Sequence, residues 1–358
     1  MNKKTLLVIF ITILLSVSIK FLNESFLDFL IFSPQHFYEN RFEHRNPYPA
    51  DTSIILIENS ELTRSEIVKA VEIVSENNPK VIALFNTFHL DRKEQEDSIL
   101  IAKFKNIQNL VLLNPNDSSD LVPNVSYTNS SLIVEEDLSV SKFRKGDSLS
   151  FEKKVVELYD AQNLLKLSKQ FSDETLINFK GKTYGHFYYI ESYQLFEDLF
   201  LPEQIKNKIV IFGNLAYSPN DIYNSFKTPL DTEYFGSYKT DFTSATIISA
   251  NAIATIIQED YLYELPWWSL IVLAILLIFL NKWISVLVLS RFNVYIFLLV
   301  ATVVLIIESL SISLFQILLF SQYNLVLDLS KLPIILIIGF LVFAYNLKKL
   351  NEPNTNIL

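Results

Sequence analysis

The chain has 358 residues and a net charge of −9 at pH 7, and half of its residues are hydrophobic whereas only 19% are charged. Soluble globular domains carry about 25% charged residues, so the composition is not that of an ordinary soluble protein. The acidic balance argues against a nucleic-acid-binding protein, which needs a basic surface to displace counterions. Cysteine is absent, which excludes disulfides, thiolate metal sites and cysteine nucleophiles.

Apolar residues concentrate in one N-terminal stretch and one long C-terminal block. The stretch Thr5–Ile19 is almost continuously apolar and follows two lysines. A helix crosses a bilayer with about 20 apolar residues. We therefore predict one N-terminal transmembrane helix and three C-terminal ones, with apolar cores at Trp267–Leu280, Val294–Leu314 and Leu332–Tyr345. The first and last of these three cores need flanking residues to reach across.

Basic residues beside the apolar segments predict the orientation, because cytoplasmic flanks carry an excess of lysine and arginine. The pairs Lys3–Lys4 and Lys348–Lys349, together with Lys282 and Arg291, all fall on one side of four spans. We expect a multi-pass protein of the bacterial inner (cytoplasmic) membrane with a large extracytoplasmic, periplasmic domain. A cleaved signal peptide ending near Ser18 is the alternative for the first segment, and it would keep the same orientation.

The central part of the chain alternates short β-branched runs with helical patterns, which is typical of a parallel sheet covered by helices. A capping-box sequence, Thr63 followed by Glu66, predicts the start of the first helix. Residues 114–150 are polar and are expected to form loops and edge structure. The predicted strands are Ser53–Ile57, Lys80–Phe85, Asn109–Leu113, Thr175–Phe179 and Ile209–Phe212, and the other predicted helices are Asp97–Lys105, Phe151–Lys166 and Ser244–Gln258.

The predicted fold class is an α/β extracytoplasmic domain, with a mostly parallel sheet and helices, plus four transmembrane helices. Residues 1–22 form the N-terminal anchor and residues 23–46 a linker. Residues 47–265 form the extracytoplasmic domain, and residues 266–347 form the three C-terminal helices. Residues 348–358 remain as a short cytoplasmic tail.

Several short motifs of this central domain occur in an order that points to a known family. They are Thr175–Gly181 (TLINFKG), Ile205–Gly213 (IKNKIVIFG), Lys227–Leu230 (KTPL), Ala250–Ala254 (ANAIA) and Leu265–Trp268 (LPWW). In this order, and with the predicted topology, they resemble the type-two CHASE family (cyclase/histidine-kinase-associated sensory extracellular domain). The resemblance spans roughly residues 49–345 and implies an external sensory domain. The first half departs from the family, with Glu58–Glu61 in place of its usual acidic motif.

The resemblance also implies candidate ligand-binding residues at Asp97, Asp221, Thr228 and Pro229, which match family positions. Gly213 is added because it follows an apolar strand, where open α/β sheets bind ligands; a tight turn is the alternative. The loop residues would line a pocket or hold their loop through hydrogen bonds.

Glu308 is an ionisable residue within a predicted membrane span, and such residues are functional candidates. Glu308 has two interpretations: a hydrogen-bonded packing contact between helices, which has no function beyond structure, and a role in ion or proton conduction. The sequence contains no recognisable catalytic motif and no histidine pair at a metal-ligand spacing. We therefore expect no catalytic residues, no metal, no cofactor and no enzymatic activity.

Two functions from different classes remain open. The first is a stand-alone extracytoplasmic sensor that signals through a separate partner, since only eleven residues follow the last predicted helix. The alternative is a structural or docking subunit of a cell-envelope complex. The expected partners are the lipid bilayer and a second protein, either a cytoplasmic effector or an envelope protein. A homodimer is compatible with the sequence, and nucleic acid is not an expected partner.

Overall fold

The computed structural model of the chain describes residues 51–85, 95–113, 126–128, 130–135, 140–145, 150–168, 173–181, 186–215, 225–226, 228, 243–266 and 268–289, with scattered positions between 296 and 326. The chain divides into two units, Phe42–Tyr263 and Met1–Arg41 with Glu264–Leu358. The first is called the α/β unit here, and each is described by itself. The predicted helices at Thr5–Ile19 and Leu332–Tyr345 lie outside the described residues.

A six-stranded sheet forms the centre of the α/β unit. Its strands are β1 (Asp51–Glu58), β2 (Val81–Leu84), β3 (Leu110–Leu113), β4 (Ser126–Thr128), β8 (Phe187–Ile190) and β9 (Ile209–Gly213). Their order across the sheet is β4-β3-β2-β9-β1-β8, and all neighbouring pairs are parallel. Continuous apolar strands are expected when helices cover both faces of a parallel sheet, and β9 is buried along its whole length.

Helices cover both faces of this sheet. They are α1 (Arg64–Glu76), α2 (Gln95–Phe104), α3 (Phe151–Ser168), α4 (Ser192–Phe196), α5 (Pro202–Ile205) and α6 (Ala245–Ile257). Helices α1 and α2 bury apolar side chains in one core with alternate residues of the strands, such as Ile55 and Phe212. Helices α3 and α6 pack together and contact β1, β2, β3 and β9. Side chains of a strand alternate between the two faces of the sheet, so each face packs against its own pair of long helices. The unit therefore has three layers, helix–sheet–helix.

The predicted capping box at the start of α1 is present. The Thr63 hydroxyl accepts a hydrogen bond from the Glu66 N–H (3.3 Å), and the Glu66 carboxylate accepts one from the Thr63 N–H (2.8 Å). Both interactions satisfy amide groups that have no partner inside the helix. The helix ends at Glu76, and two residues later Asn78 takes a left-handed backbone conformation, with φ 54°.

The region predicted to form loops and edge structure, residues 114–150, contains three strands, one of which lies at the edge of the six-stranded sheet. One is β4, and the others are β5 (Leu132–Val134) and β6 (Val140–Arg144), which form an antiparallel sheet with β7 (Glu174–Leu176). Two further strands, β10 (Ser225–Phe226) and β11 (Thr243–Ser244), pair before α6. The first two missed strands have only three residues each, too few to show a period. Helix α3 bends at Asp160, whose φ of −157° is extended rather than helical.

The prediction of four transmembrane helices is wrong. Within the part of the chain that the structure describes, no helix combines the length and the apolar character needed to cross a bilayer. The helix α7 spans Trp268–Leu289 and has 22 residues. The short strands β12 (Tyr263–Glu264) and β13 (Leu325–Val326) complete the described elements.

Candidate functional site

The strand order places a reversal of chain direction at β1. From β1 the chain continues to β2, which lies two positions away on one side of β1. Strand β8 lies on the other side of β1, and β9 lies between β1 and β2. In open α/β sheets, ligands bind outside the carboxyl ends of the strands where the order reverses. The loops that follow β1 and β9 lie at this position, and they form the candidate site.

Glu58 joins these two loops. It is the last residue of β1 and is aligned with Gly213, the last residue of β9. Its carboxylate accepts hydrogen bonds from the Ser60 N–H (2.9 Å) and from the Leu215 N–H (2.7 Å). The Asn59 N–H donates to the carbonyl of Gly213 at 3.3 Å. The carboxylate therefore acts as a brace between the loops, and it orients the polar side chains that follow β1.

Gly213 is needed for close packing against the first turn of α6. A Cβ atom at this position would lie 2.2 Å from Thr246 Oγ1, which no real contact allows. The N-cap of α6 is Ser244, whose hydroxyl accepts from the Thr246 N–H (3.2 Å) and donates to the carbonyl of Asn214. The positive end of the α6 dipole therefore lies beside the carboxyl end of β9, where polar or anionic groups are favoured.

The candidate residues predicted from sequence are only partly brought together. Thr228 is buried, and its hydroxyl hydrogen-bonds the Thr243 hydroxyl at 2.9 Å. Gly213 and Thr228 thus both contact residues at the start of α6. Asp97 lies on α2, with its side chain outside the described part. Asp221 and Pro229 are also outside the described residues.

Sequence reasoning missed the central role of Glu58. In the sequence, the run Glu58–Glu61 stands out only as a departure from a family motif. A stronger signal was available, because this polar run follows a buried strand directly and the ends of parallel strands meet at one edge. What the sequence could not provide was the position of β9 next to β1, since their pairing joins residues about 150 positions apart.

A second polar cluster is buried between α3, α6 and the chain before β5. The Glu152 side chain has no exposed surface. Its Oε1 accepts hydrogen bonds from the hydroxyls of Ser130 (2.7 Å) and Ser249 (2.6 Å). Its Oε2 accepts from the N–H and the hydroxyl of Ser131, both at 2.8 Å. Four donors satisfy this carboxylate, so it holds the two helices to the strand region rather than being available to a ligand.

A third cluster lies at the opposite, amino edge of the sheet. The Lys180 ammonium is 2.9 Å from Asp260 Oδ2 and also hydrogen-bonds Gln258. Gln258 in turn donates to Asp51 at the start of β1 (2.8 Å). Burial lowers the pKa of the neighbouring His186 to about 4; Asp51 opposes this shift and Lys180 adds to it. The cluster fastens the end of α6 to the start of β1.

Glu308 is buried in the second unit, where its carboxylate accepts a hydrogen bond from Asn281 Nδ2 at 3.3 Å. This geometry is a polar contact between two buried side chains. The part of the chain that the structure describes contains no group of three or more histidine, aspartate or glutamate side chains placed to hold a metal ion.

Comparison with known proteins supplies the family. A family model described as the CHASE2 domain matches residues 6–283, which is more than half of the chain. Comparisons with curated proteins and with solved structures give no match. CHASE2 is a family of extracellular sensory domains, so a sensory, ligand-binding role follows from the match. The match extends through every element of the α/β unit, and the chain belongs to the CHASE2 domain family.

Proposed function

We propose that the chain is an extracytoplasmic sensor that binds a small polar ligand at the carboxyl edge of its sheet and signals through a separate partner protein. The observation that carries the proposal is the meeting of the β1 and β9 loops, braced by Glu58, beside the amino end of α6. Serine, threonine and asparagine side chains surround this position, which suits a ligand with several hydrogen-bonding groups.

We propose binding rather than catalysis at this edge. Both oxygens of Glu58 accept hydrogen bonds from backbone amides, so the carboxylate is committed to holding the loops. A general base needs to reach a reacting proton within hydrogen-bonding distance, and the two amides already occupy both carboxylate oxygens of Glu58.

Association with the bilayer and a partner protein belong to the same proposal. Exposed apolar side chains on α7, among them Leu276, Phe279 and Trp283, support association with lipid. Fractionation of cells that express the full chain tests it, since the chain should sediment with membranes and resist a high-salt wash. A ligand transmits a signal only through a difference in affinity between two states, so partner binding should change when ligand is added.

The ligand site is tested with a small-molecule thermal-shift screen on the full chain. Ser60 is exposed in the loop after β1, and Ser65 is exposed on α1. We expect Ser60→Trp to abolish the shift produced by any hit, because the indole occupies the space next to the β1 loop that the ligand would use. The matched control Ser65→Trp should keep the shift. A hit that stabilises both variants equally, or a screen with no hit, would contradict the proposed site.

A further inference from the structure

One flank of the α/β unit carries an exposed surface that is both apolar and acidic. Four large side chains are exposed there, on or next to β8, α4 and α5: Tyr188, Tyr193, Leu199 and Leu201. Four exposed carboxylates lie among them: Glu191, Glu197, Asp198 and Glu203. We call these eight residues the acidic-apolar surface. Single exposed apolar residues are ordinary, but clustered ones rimmed by polar groups mark interaction sites.

Hydrogen bonds hold the local backbone of this surface in place. The Gln204 amide accepts from the Leu201 N–H (2.8 Å) and also contacts the Tyr188 hydroxyl, so α5 is tied to β8. At the end of α4, the Leu199 N–H donates to the carbonyl of Gln194 at 2.8 Å. This is the helix-ending arrangement in which the apolar residue usually packs back on the helix. Leu199 is instead 59% exposed.

The charge of the surface decides which partner fits. Residues 188–205 contain no lysine or arginine. Lys206 directly follows α5 in the sequence, and the Lys69 ammonium of α1 lies 5.3 Å from the Phe196 ring. A second copy of the same surface would place two sets of four carboxylates against each other, which is unfavourable. Complementarity requires a partner with basic and apolar side chains.

The edge of the sheet indicates the form of that partner. Strand β8 is the terminal strand of the six-stranded sheet among the described residues. Terminal strands accept extended segments of other chains, whose alternate side chains then fall on the two faces of the sheet. If an extended segment paired with β8, every second side chain of that segment would lie next to Tyr188 and toward α5.

We propose that the acidic-apolar surface is the docking site for an extended, basic and apolar segment of another protein. The partner's apolar side chains cover the exposed leucines and tyrosines, and its lysines or arginines meet the rim of carboxylates. The proposal does not depend on the ligand site at the carboxyl edge, because the two use different residues.

The test is site-specific photocrosslinking in cells that express the full chain. A benzophenone amino acid replaces Leu199 or Leu201, and Leu165, which is 65% exposed on α3, serves as the control position. We expect protein adducts at 199 and 201 but not at 165. Sequencing of the crosslinked peptides should show a segment that combines lysine or arginine with apolar residues.

Charge reversal separates specific docking from general attraction to an acidic protein. Glu197→Lys with Glu203→Lys should reduce adduct yield about tenfold, as rim charges control association. The control Glu135→Lys with Asp173→Lys changes the net charge equally, on exposed residues next to β5 and β7. It should leave the yield unchanged. Both double variants should unfold like the unmodified chain, because exposed substitutions have small effects.

Four outcomes would overturn the proposal: no adduct above the level at 165, adducts only with a second copy of this chain, a crosslinked segment without basic residues, or a yield insensitive to charge reversal. If the reversed variant does not fold, the same crosslink is measured in the otherwise unmodified chain at rising ionic strength. A salt-dependent loss supports docking through charge, and an unchanged yield refutes it.

Discussion

Ser249→Ala removes one of the four hydrogen bonds that hold the buried Glu152 carboxylate, and we expect it to destabilise the α/β unit. The lost bond, 2.6 Å from Oγ to Oε1, has a charged acceptor, and such bonds contribute about 1.5–3 kcal/mol. Alanine is the better helix former by up to ~0.5 kcal/mol. The free energy of unfolding should therefore fall by about 1–2.5 kcal/mol.

The assay is urea unfolding of the full chain, with hydrogen exchange of the β9 amides as the local readout for the α/β unit. Ser65→Ala is the matched control, since this serine is exposed on α1 and its loss should change stability by less than ~0.5 kcal/mol. A double-mutant cycle with Glu152→Gln isolates the pair. When Glu152→Gln is already present, Ser249→Ala should be milder by roughly 1 kcal/mol.

Two results would refute this reasoning. The first is a Ser249→Ala variant that is as stable as the Ser65→Ala control. The second is an equal loss with and without Glu152→Gln, because additivity would mean that the serine does not act through the carboxylate. Either result would assign the burial of Glu152 to local packing alone.

Three further perturbations test other parts of the fold. Gly213→Ala should destabilise the unit by about 3 kcal/mol, because the added Cβ atom would lie 2.2 Å from Thr246. Melting curves should show that the double variant Gly213→Ala/Thr246→Ala regains part of this stability. A double variant that regains none would contradict the proposed clash. Lys180→Met should lower the urea midpoint by an amount equivalent to about 2 kcal/mol. Lys166→Met removes a half-exposed ion pair with Glu259 and should cost less than ~1 kcal/mol. Similar losses in the two variants would contradict the idea that burial makes the Lys180 ion pair the more important one. Because burial lowers the pKa of His186 from 6.5 to about 4, the unfolded chain binds a proton between these values that the folded chain does not, so stability should fall as pH drops through this window. A His186→Gln variant should show a shallower loss over that window, and identical slopes would contradict this role.

The elements with strong local signals could be predicted from the sequence. The strand at residues 53–57, the capping box at Thr63 and the helix at 245–257 all occur where expected, because burial and capping follow from short stretches of sequence. Within the region predicted to form loops and edge structure, the bounds of the three-residue strands β4 and β5 could not be predicted, since they are too short to show a period. Strand β8, at Phe187–Ile190, is absent from the predicted strands.

Membrane spans and the candidate site show two different limits of sequence reasoning. The predicted spans rested on apolar content, and the short cores at Trp267–Leu280 and Leu332–Tyr345 were expected to use flanking residues to cross. Among the described residues, no helix meets the requirements for a membrane span. At the site, Gly213 was correctly placed at the end of a strand. Its reason for being glycine, the contact with Thr246, depends on a tertiary packing that no local pattern reveals.

The pairing of β1 with two late strands has a consequence for synthesis of the protein. Both of its sheet neighbours, β8 and β9, lie about 130–155 residues later in the chain. At translation rates of about 5–20 residues per second, β1 waits roughly 7–30 s for a native partner on either side. Such a high contact order slows folding, and an unpaired apolar strand is prone to aggregate meanwhile. The nascent chain is therefore expected to rely on chaperones until residue 213 has emerged.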